Sequence, residues 1–207
     1  MVSACRNYMC LNTLSKEEES RIITDARSDP ESFAPLYERY YDRIYLYLYR
    51  LCSNSALAED LTSETFIKAL RGLRTYRLGN IPFSSWLYRI AHNSFVSHYR
   101  REKVRRLFGV MTKKNSQEAS TAANPLRNIE MERVGEKILQ FVNRLKPLDQ
   151  FILTMRYFED MSIGDVALAS GLQETNVRTR LHRSLKRLQA LIEVEDPDLA
   201  AMIEGEA

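Results

Sequence analysis

The residues most able to do chemistry in this chain are cations and rings, and they are clustered. From Arg71 to Lys114 there are eleven lysines and arginines against a single acid, Glu102. From Asn176 to Arg187 there are five basic residues and no acid. The net charge is only +3, so the clustering carries the information. Two basic blocks in a nearly neutral chain point to two places that meet a polyanion, since guanidinium and ammonium groups neutralise phosphates. Two solvated basic faces would be the bland alternative. No paired carboxylates, no nucleophile beside a base and no glycine-rich phosphate loop stand out, so the pattern points away from an enzyme. Cys5, Cys10 and Cys52 form neither a disulfide framework nor, with His92, His98 and His182, a metal-ligand spacing. No metal and no cofactor are expected.

The second basic block lies in MSIGDVALASGLQETNVRTRLHRSLKRLQALI. Ser162 can cap a helix with Asp165 three residues on. Ala167, Gly171 and Val177 then follow at intervals of four and six. A small residue lets two helices cross closely, a glycine permits the sharp turn between them, and a valine anchors the second helix. This is helix-turn-helix spacing. The second helix has Val177, Leu181, Leu185 and Leu188 as its expected core face. It offers Thr175, Asn176, Arg178, Thr179, His182 and Arg183 outward, a set able to reach phosphates and base edges.

The first block includes SSWLYRIAHNSFVSHYRREK, Ser84 to Lys103. At about 100° per residue, Trp86, Leu87, Ile90 and Ala91 share an arc and read as core. Tyr88, His92, Phe95 and Tyr99 form a second stripe. Arg89, Asn93, Val96 and Arg100, with Ser97 beside them, form a third. The aromatic stripe is either more core or a stacking surface for unpaired bases beside a cationic groove. Tyr76 and Arg77 in the preceding loop add a ring and a cation. The RREKVRR run, with Arg100 and Arg101, reads as a phosphate track or a solvated helix end.

The elements that must position these groups are helical. Apolar residues recur at helical spacing nearly everywhere, with no convincing alternating strand. Helices are expected at about Lys16–Arg27, Glu31–Cys52, Ala56–Leu73 and from Ser84 onward. After a gap they resume at about Glu130–Asn143, Pro147–Phe158, Ile163–Ala169 and Glu174–Val194. The polar, small-residue run Lys113 to Pro125 has linker composition. The expected fold class is therefore all-α, two small helical domains on a flexible tether. The expected division is an extension over 1–14, a first domain over 15–106, a linker over 107–129, a second domain over 130–192 and an acidic, frayed tail over 193–207. Met9 could be an alternative start. No signal peptide or membrane span is legible, and a cytoplasmic protein is expected.

At this point ALAEDLTSETFIKAL, SSWLYRIAHN and LKPLDQFILTMRYFEDMSIGDVALASG together resemble the extracytoplasmic-function class of bacterial sigma factors, in the sigma-70 family. The likeness spans roughly Glu31 to Lys103 and Glu130 to Leu191. It implies an alternative sigma factor, not an enzyme, that binds core RNA polymerase through its clamp and flap and recognises promoter DNA, both duplex and single-stranded. Glu59, Asp60, Leu61, Thr62, Glu64, Thr65 and Phe66 would dock on the polymerase clamp. Tyr76, Arg77, Trp86, Arg89, Asn93, Ser97, Arg100 and Arg101 would serve the melted −10 element, with Asn93 and Tyr76 lining a pocket for an extruded base. The helix-turn-helix residues would read the −35 element, and the linker would occupy a polymerase channel. An anti-sigma factor is an expected partner, and membrane insertion is not. Two rivals remain at the level of the residues: a stand-alone helix-turn-helix regulator, which needs neither the ring-bearing strip nor the acidic helix, and a helical adaptor that binds no nucleic acid.

Overall fold

The computed structural model describes residues 15–79, 81–107 and 129–204. The expected N-terminal extension and most of the expected linker lie outside them. Every regular element among the described residues is helical, and these residues fall into two compact units, 15–107 and 129–204.

In the first unit, Ser15 opens α1 (Lys16–Asp25) with a capping box, its Oγ accepting from the Glu18 amide at 3.1 Å and its own amide donating to Glu18 Oε2 at 2.7 Å. Asp29 then caps a 3₁₀ turn, Pro30–Phe33, leading into α2 (Ala34–Cys52). Sequence periodicity extends that helix back to Glu31, because a 3₁₀ turn shares its first few spacings. Ser53 ends α2 in the left-handed region, and Asn54 caps α3 (Ser55–Gly72) by accepting from the Leu57 amide at 2.9 Å. The unit closes with α4 (Phe83–Leu107). Helix α3 packs on both α2 and α4. Their shared core includes Leu36, Ile44, Tyr47 and Leu48 of α2, Ala58, Leu61 and Phe66 of α3, and Phe83, Leu87 and Tyr88 of α4.

The second unit comprises α5 (Ile129–Val142), α6 (Pro147–Leu153), α7 (Ile163–Ser170), α8 (Glu174–Glu195) and α9 (Pro197–Glu204). Buried Gln150 closes the end of α5, its Nε2 donating to the carbonyls of Asn143 at 2.7 Å and Leu145 at 3.1 Å. After Leu153 the helix widens into a π turn, Thr154–Phe158, rather than running on as α-helix.

Two expectations fail here. The buried stripe of α8 is Val177, Leu181, Ser184, Leu188 and Ile192, whereas Leu185 is 39% exposed. The acidic tail is not frayed over its helical part. Asp196 Oδ1 accepts from the Leu199 amide at 3.1 Å, Pro197 sits in the first turn where it needs no amide donor, and α9 folds. Leu199 then joins Val142, Leu188 and Ile192 in a cluster against which Ile138, Phe141, Ala200 and Ile203 pack.

Candidate nucleic-acid interface

Helix α4 separates its rings from its cations by burial. Tyr88, His92 and Phe95 are 0%, 7% and 6% exposed, and only Tyr99 of that stripe, at 50%, faces solvent. The stripe is core and not a stacking surface. Tyr88 meets Tyr47 of α2 edge to face, with centroids 5.3 Å apart, the geometry that ring quadrupoles favour. His92 Nδ1 hydrogen-bonds the Tyr47 hydroxyl at 3.0 Å, and burial pushes the imidazole pKa down to about 4. The neighbouring strip is brought together as expected: Arg89, Asn93, Ser97 and Arg100 are exposed on α4 and Val96 is half-buried among them, with Arg101 of the following run exposed as well. Past them, Arg100, Arg101, Val104 and Arg105 line an open depression. Lys68 of α3 is a contact that sequence reasoning misses. Its Nζ donates to Ser94 Oγ at 3.0 Å and pairs with Glu64 at 2.6 Å, which sets an ion pair beside α4. A lone lysine on a helix carries no signal that it will meet a neighbouring helix.

The loop before α4 is not as expected. Tyr76 is only 7% exposed, its ring tilted against Trp86 with centroids 4.8 Å apart and edge to face with Phe83 at 5.8 Å. Its hydroxyl donates to the Ile81 carbonyl at 2.6 Å, and burial, with Glu19 nearby, pushes its pKa up to about 12. So Tyr76 does not line an open pocket with Asn93; it is the floor of the loop. Trp86 is half-buried against the α3 terminus, where a Cβ on Gly72 would lie 3.1 Å from its ring. Arg77, next to Tyr76, is exposed.

In the second unit the helix-turn-helix forms through the expected residues. Ser162 Oγ accepts from the Asp165 amide at 3.1 Å to start α7. Gly171 ends it at φ 72°, a left-handed conformation that costs glycine little. Val166 and Val177 are fully buried where α7 crosses α8. Thr175, Asn176, Arg178, Thr179, His182 and Arg183 are all exposed on α8. Thr179 commits its hydroxyl proton to the Thr175 carbonyl at 2.9 Å, so it is left with acceptor capacity. Arg180, between them, is held by Asp149 of α6 at 2.7 Å, and that pair fixes α8 on its support.

The third group divides. Leu61, Thr62, Thr65 and Phe66 are at most 4% exposed. Thr62 and Thr65 donate to the carbonyls of Ala58 and Leu61, each at 2.7 Å, and Phe66 packs 4.8 Å from Tyr37. These four hold α3 and offer nothing to a partner. Glu59 and Asp60 are exposed, Glu64 is partly so, and Ile67, which the motif does not single out, is 51% exposed.

Comparison with known proteins matches a family model to each of the two compact units. Residues 36–105 match the model of sigma-70 region 2, and residues 135–188 that of sigma-70 region 4. The chain is 33% identical over 159 residues to the RNA polymerase sigma factor YlaC of Bacillus subtilis, covering 77% of this chain and 91% of that one. It is 31% identical over 166 residues to the ECF RNA polymerase sigma factor BldN of Streptomyces coelicolor, covering 79% of this chain but only 61% of that relative's length. Among solved structures, CnrH in complex with the cytosolic domain of CnrY superposes with a TM-score of 0.60 at 20% identity, covering 85% of this chain and 97% of that one. RpoE bound to the anti-sigma factor NepR, from Bartonella quintana, superposes at 0.58 and 20% identity, covering 80% and 99%. Those two likenesses are of fold.

Proposed function

The chain belongs to the extracytoplasmic-function class of the sigma-70 family, and from that premise we propose that it binds core RNA polymerase, carries it to promoters and traps the melted strand. The observation that carries this reading is the pairing of two exposed cationic helix faces, α4 and α8, each on its own compact unit. A stand-alone regulator needs the α8 face only.

In this reading the first turns of α8 enter the major groove of the −35 element. There Arg178 and Asn176 meet base edges and Arg183 meets phosphate, a reading supported by their exposure on α8. The α4 strip serves the −10 element as a single strand. Asn93 and Arg77 contact the displaced bases, Arg89, Arg100 and Arg101 follow the backbone, and Ser97 adds a donor. Trp86 presents one edge to that strand, and Tyr76 supports the loop from beneath. Extruding a base costs a few kcal/mol, which pocket contacts offset. Glu59, Asp60, Glu64 and Ile67 form the surface for the polymerase clamp, and the flap contact falls to the second unit. An anti-sigma factor is a further proposed partner, because the similar fold of RpoE is found bound to one.

The test is co-elution with bacterial core RNA polymerase on gel filtration, with the Glu59→Lys, Asp60→Lys double variant alongside. Both side chains are exposed, so the variant keeps its fold. Co-elution that the variant loses supports the reading. A folded wild-type chain that fails to co-elute sinks it and leaves the stand-alone regulator.

A further inference from the structure

The loop that carries Arg77 is held by a residue from outside it. Arg27, just after α1, sends its guanidinium across to the end of α3: Nε donates to the Leu73 carbonyl at 3.1 Å and Nη2 to the Tyr76 carbonyl at 2.6 Å. The Leu73 carbonyl is at the C-cap of α3, where helix-end acceptors lack an internal partner, and the Tyr76 carbonyl belongs to the loop beyond it. One fork thus closes two orphan acceptors at once, which a lysine ammonium cannot do with the same rigidity. The seat of Arg27 is itself anchored. Ile23 and Ala26 are 1% and 4% exposed, and the Tyr40 hydroxyl donates to Glu19 of α1 at 2.6 Å. On the other side the Tyr76 hydroxyl ties the loop to the Ile81 carbonyl two residues before α4. The loop backbone is therefore clamped at both ends of Tyr76, and Arg77 emerges from the clamp.

We propose that Arg27 is a positioning residue for capture of the unpaired promoter strand: it sets the backbone from which Arg77 reaches that strand, without touching DNA itself. This rests on the proposed sigma function. Arg27 lies upstream of the matched region 2 segment, 36–105, so it belongs to no motif in that match. Contacts to an unpaired strand need fixed geometry, because stacking and hydrogen bonding fall away when the platform shifts.

The experiment compares wild type, Arg27→Ala, Arg27→Lys and Tyr76→Phe, each assembled with core polymerase. Three affinities are read: for core, for an upstream duplex, and for an unpaired oligonucleotide of the −10 strand. The expected result for Arg27→Ala is about a tenfold or larger loss on the unpaired strand, with core and duplex affinities within about twofold. Arg27→Lys recovers part of the loss, and Tyr76→Phe, which keeps the ring and removes only the Ile81 tether, shows the same selective defect. Unchanged strand affinity in Arg27→Ala overturns the proposal. If Arg27→Ala instead loses all three affinities through misfolding, Tyr76→Phe decides: a selective loss supports the clamp and no loss overturns it. A wild-type chain that does not bind core is a different result, because it removes the sigma reading and not the clamp.

Discussion

At the scale of single residues, the buried and exposed positions of α4 make opposite predictions. Asn93 is exposed, so Asn93→Ala leaves stability within about 0.5 kcal/mol. It should slow promoter opening while leaving core binding intact, and a pre-melted template should restore much of the activity. Equal loss on melted and intact templates would remove Asn93 from the strand-capture step. His92 behaves otherwise. Its folded pKa is depressed to about 4, from an ordinary value of 6.5. Between those values the unfolded chain binds a proton that the folded chain does not, so stability rises with pH there. The contribution is fully present above about 6.5 and is lost as pH falls toward 4, in total on the order of 3 kcal/mol. Thermal unfolding of the first unit should therefore weaken across that window, and His92→Gln should flatten the dependence. An equally steep dependence in the variant would assign it to carboxylates instead. Arg178→Ala should weaken binding to the cognate upstream duplex by about 1–3 kcal/mol and relax preference at one base pair. Uniform weakening across sequences would make Arg178 a phosphate contact.

At the scale of elements, α9 lies wholly beyond the matched region 4 segment, 135–188. Lys137 of α5 pairs at 2.7 Å with Asp196, the residue that caps α9, Arg144 just past α5 pairs with Glu195 at the end of α8, and Leu199 of α9 packs against Leu188 and Ile192 of α8. Those ion pairs sit at the surface, where salt screens them and their net effect is small. Leu199, 1% exposed, is the stronger tie. Leu199→Ala should lower the stability of the second unit by about 2–4 kcal/mol, read as a shift in urea midpoint, while raising salt to about 0.5 M changes it little. A large salt effect with a silent Leu199→Ala would reverse that ranking. The signal for α9 is present in the sequence, an Asp-Pro start followed by Leu199 and Ile203 at i and i+4, but six acids without a base from Glu193 onward read as solvated. The longer helices are legible because their apolar period repeats over four or more turns. The fate of the α4 rings is not. Periodicity gives the angle between stripes but not how far a neighbouring helix wraps around, and α2 reaches Tyr88 through Tyr47. The helix-turn-helix is legible almost residue by residue, because cap, glycine and valine each answer a local steric demand. The exception, Ser184 in place of Leu185, follows from the phase that burial of Leu188 and Ile192 imposes on α8. The acidic face of α3 reads as one block because spacing alone does not say which half of an amphipathic helix a partner can reach.

At the scale of the whole molecule, a net charge of +3 conceals two cationic faces that act on different forms of DNA. Removing one cation that meets a phosphate lowers the salt slope of binding by about 0.9 for duplex and about 0.7 for a single strand. In complex with core polymerase on a promoter with a melted −10 region, Arg100→Gln with Arg101→Gln should reduce the slope by a little over one unit. Arg183→Gln with Lys186→Gln, both exposed on the same cationic stretch of α8, should reduce it by nearly two. The two pairs lie on separate units with separate cores, so their effects should add when all four changes are combined. On upstream duplex alone, the α4 pair should be silent and the α8 pair should keep its full effect. That cross-comparison separates a divided promoter reader from a generally basic protein. An α4 pair that weakens isolated duplex as strongly as the α8 pair would mean that both faces bind double-stranded DNA without distinction, and the assignment of α4 to the melted strand would fall with it.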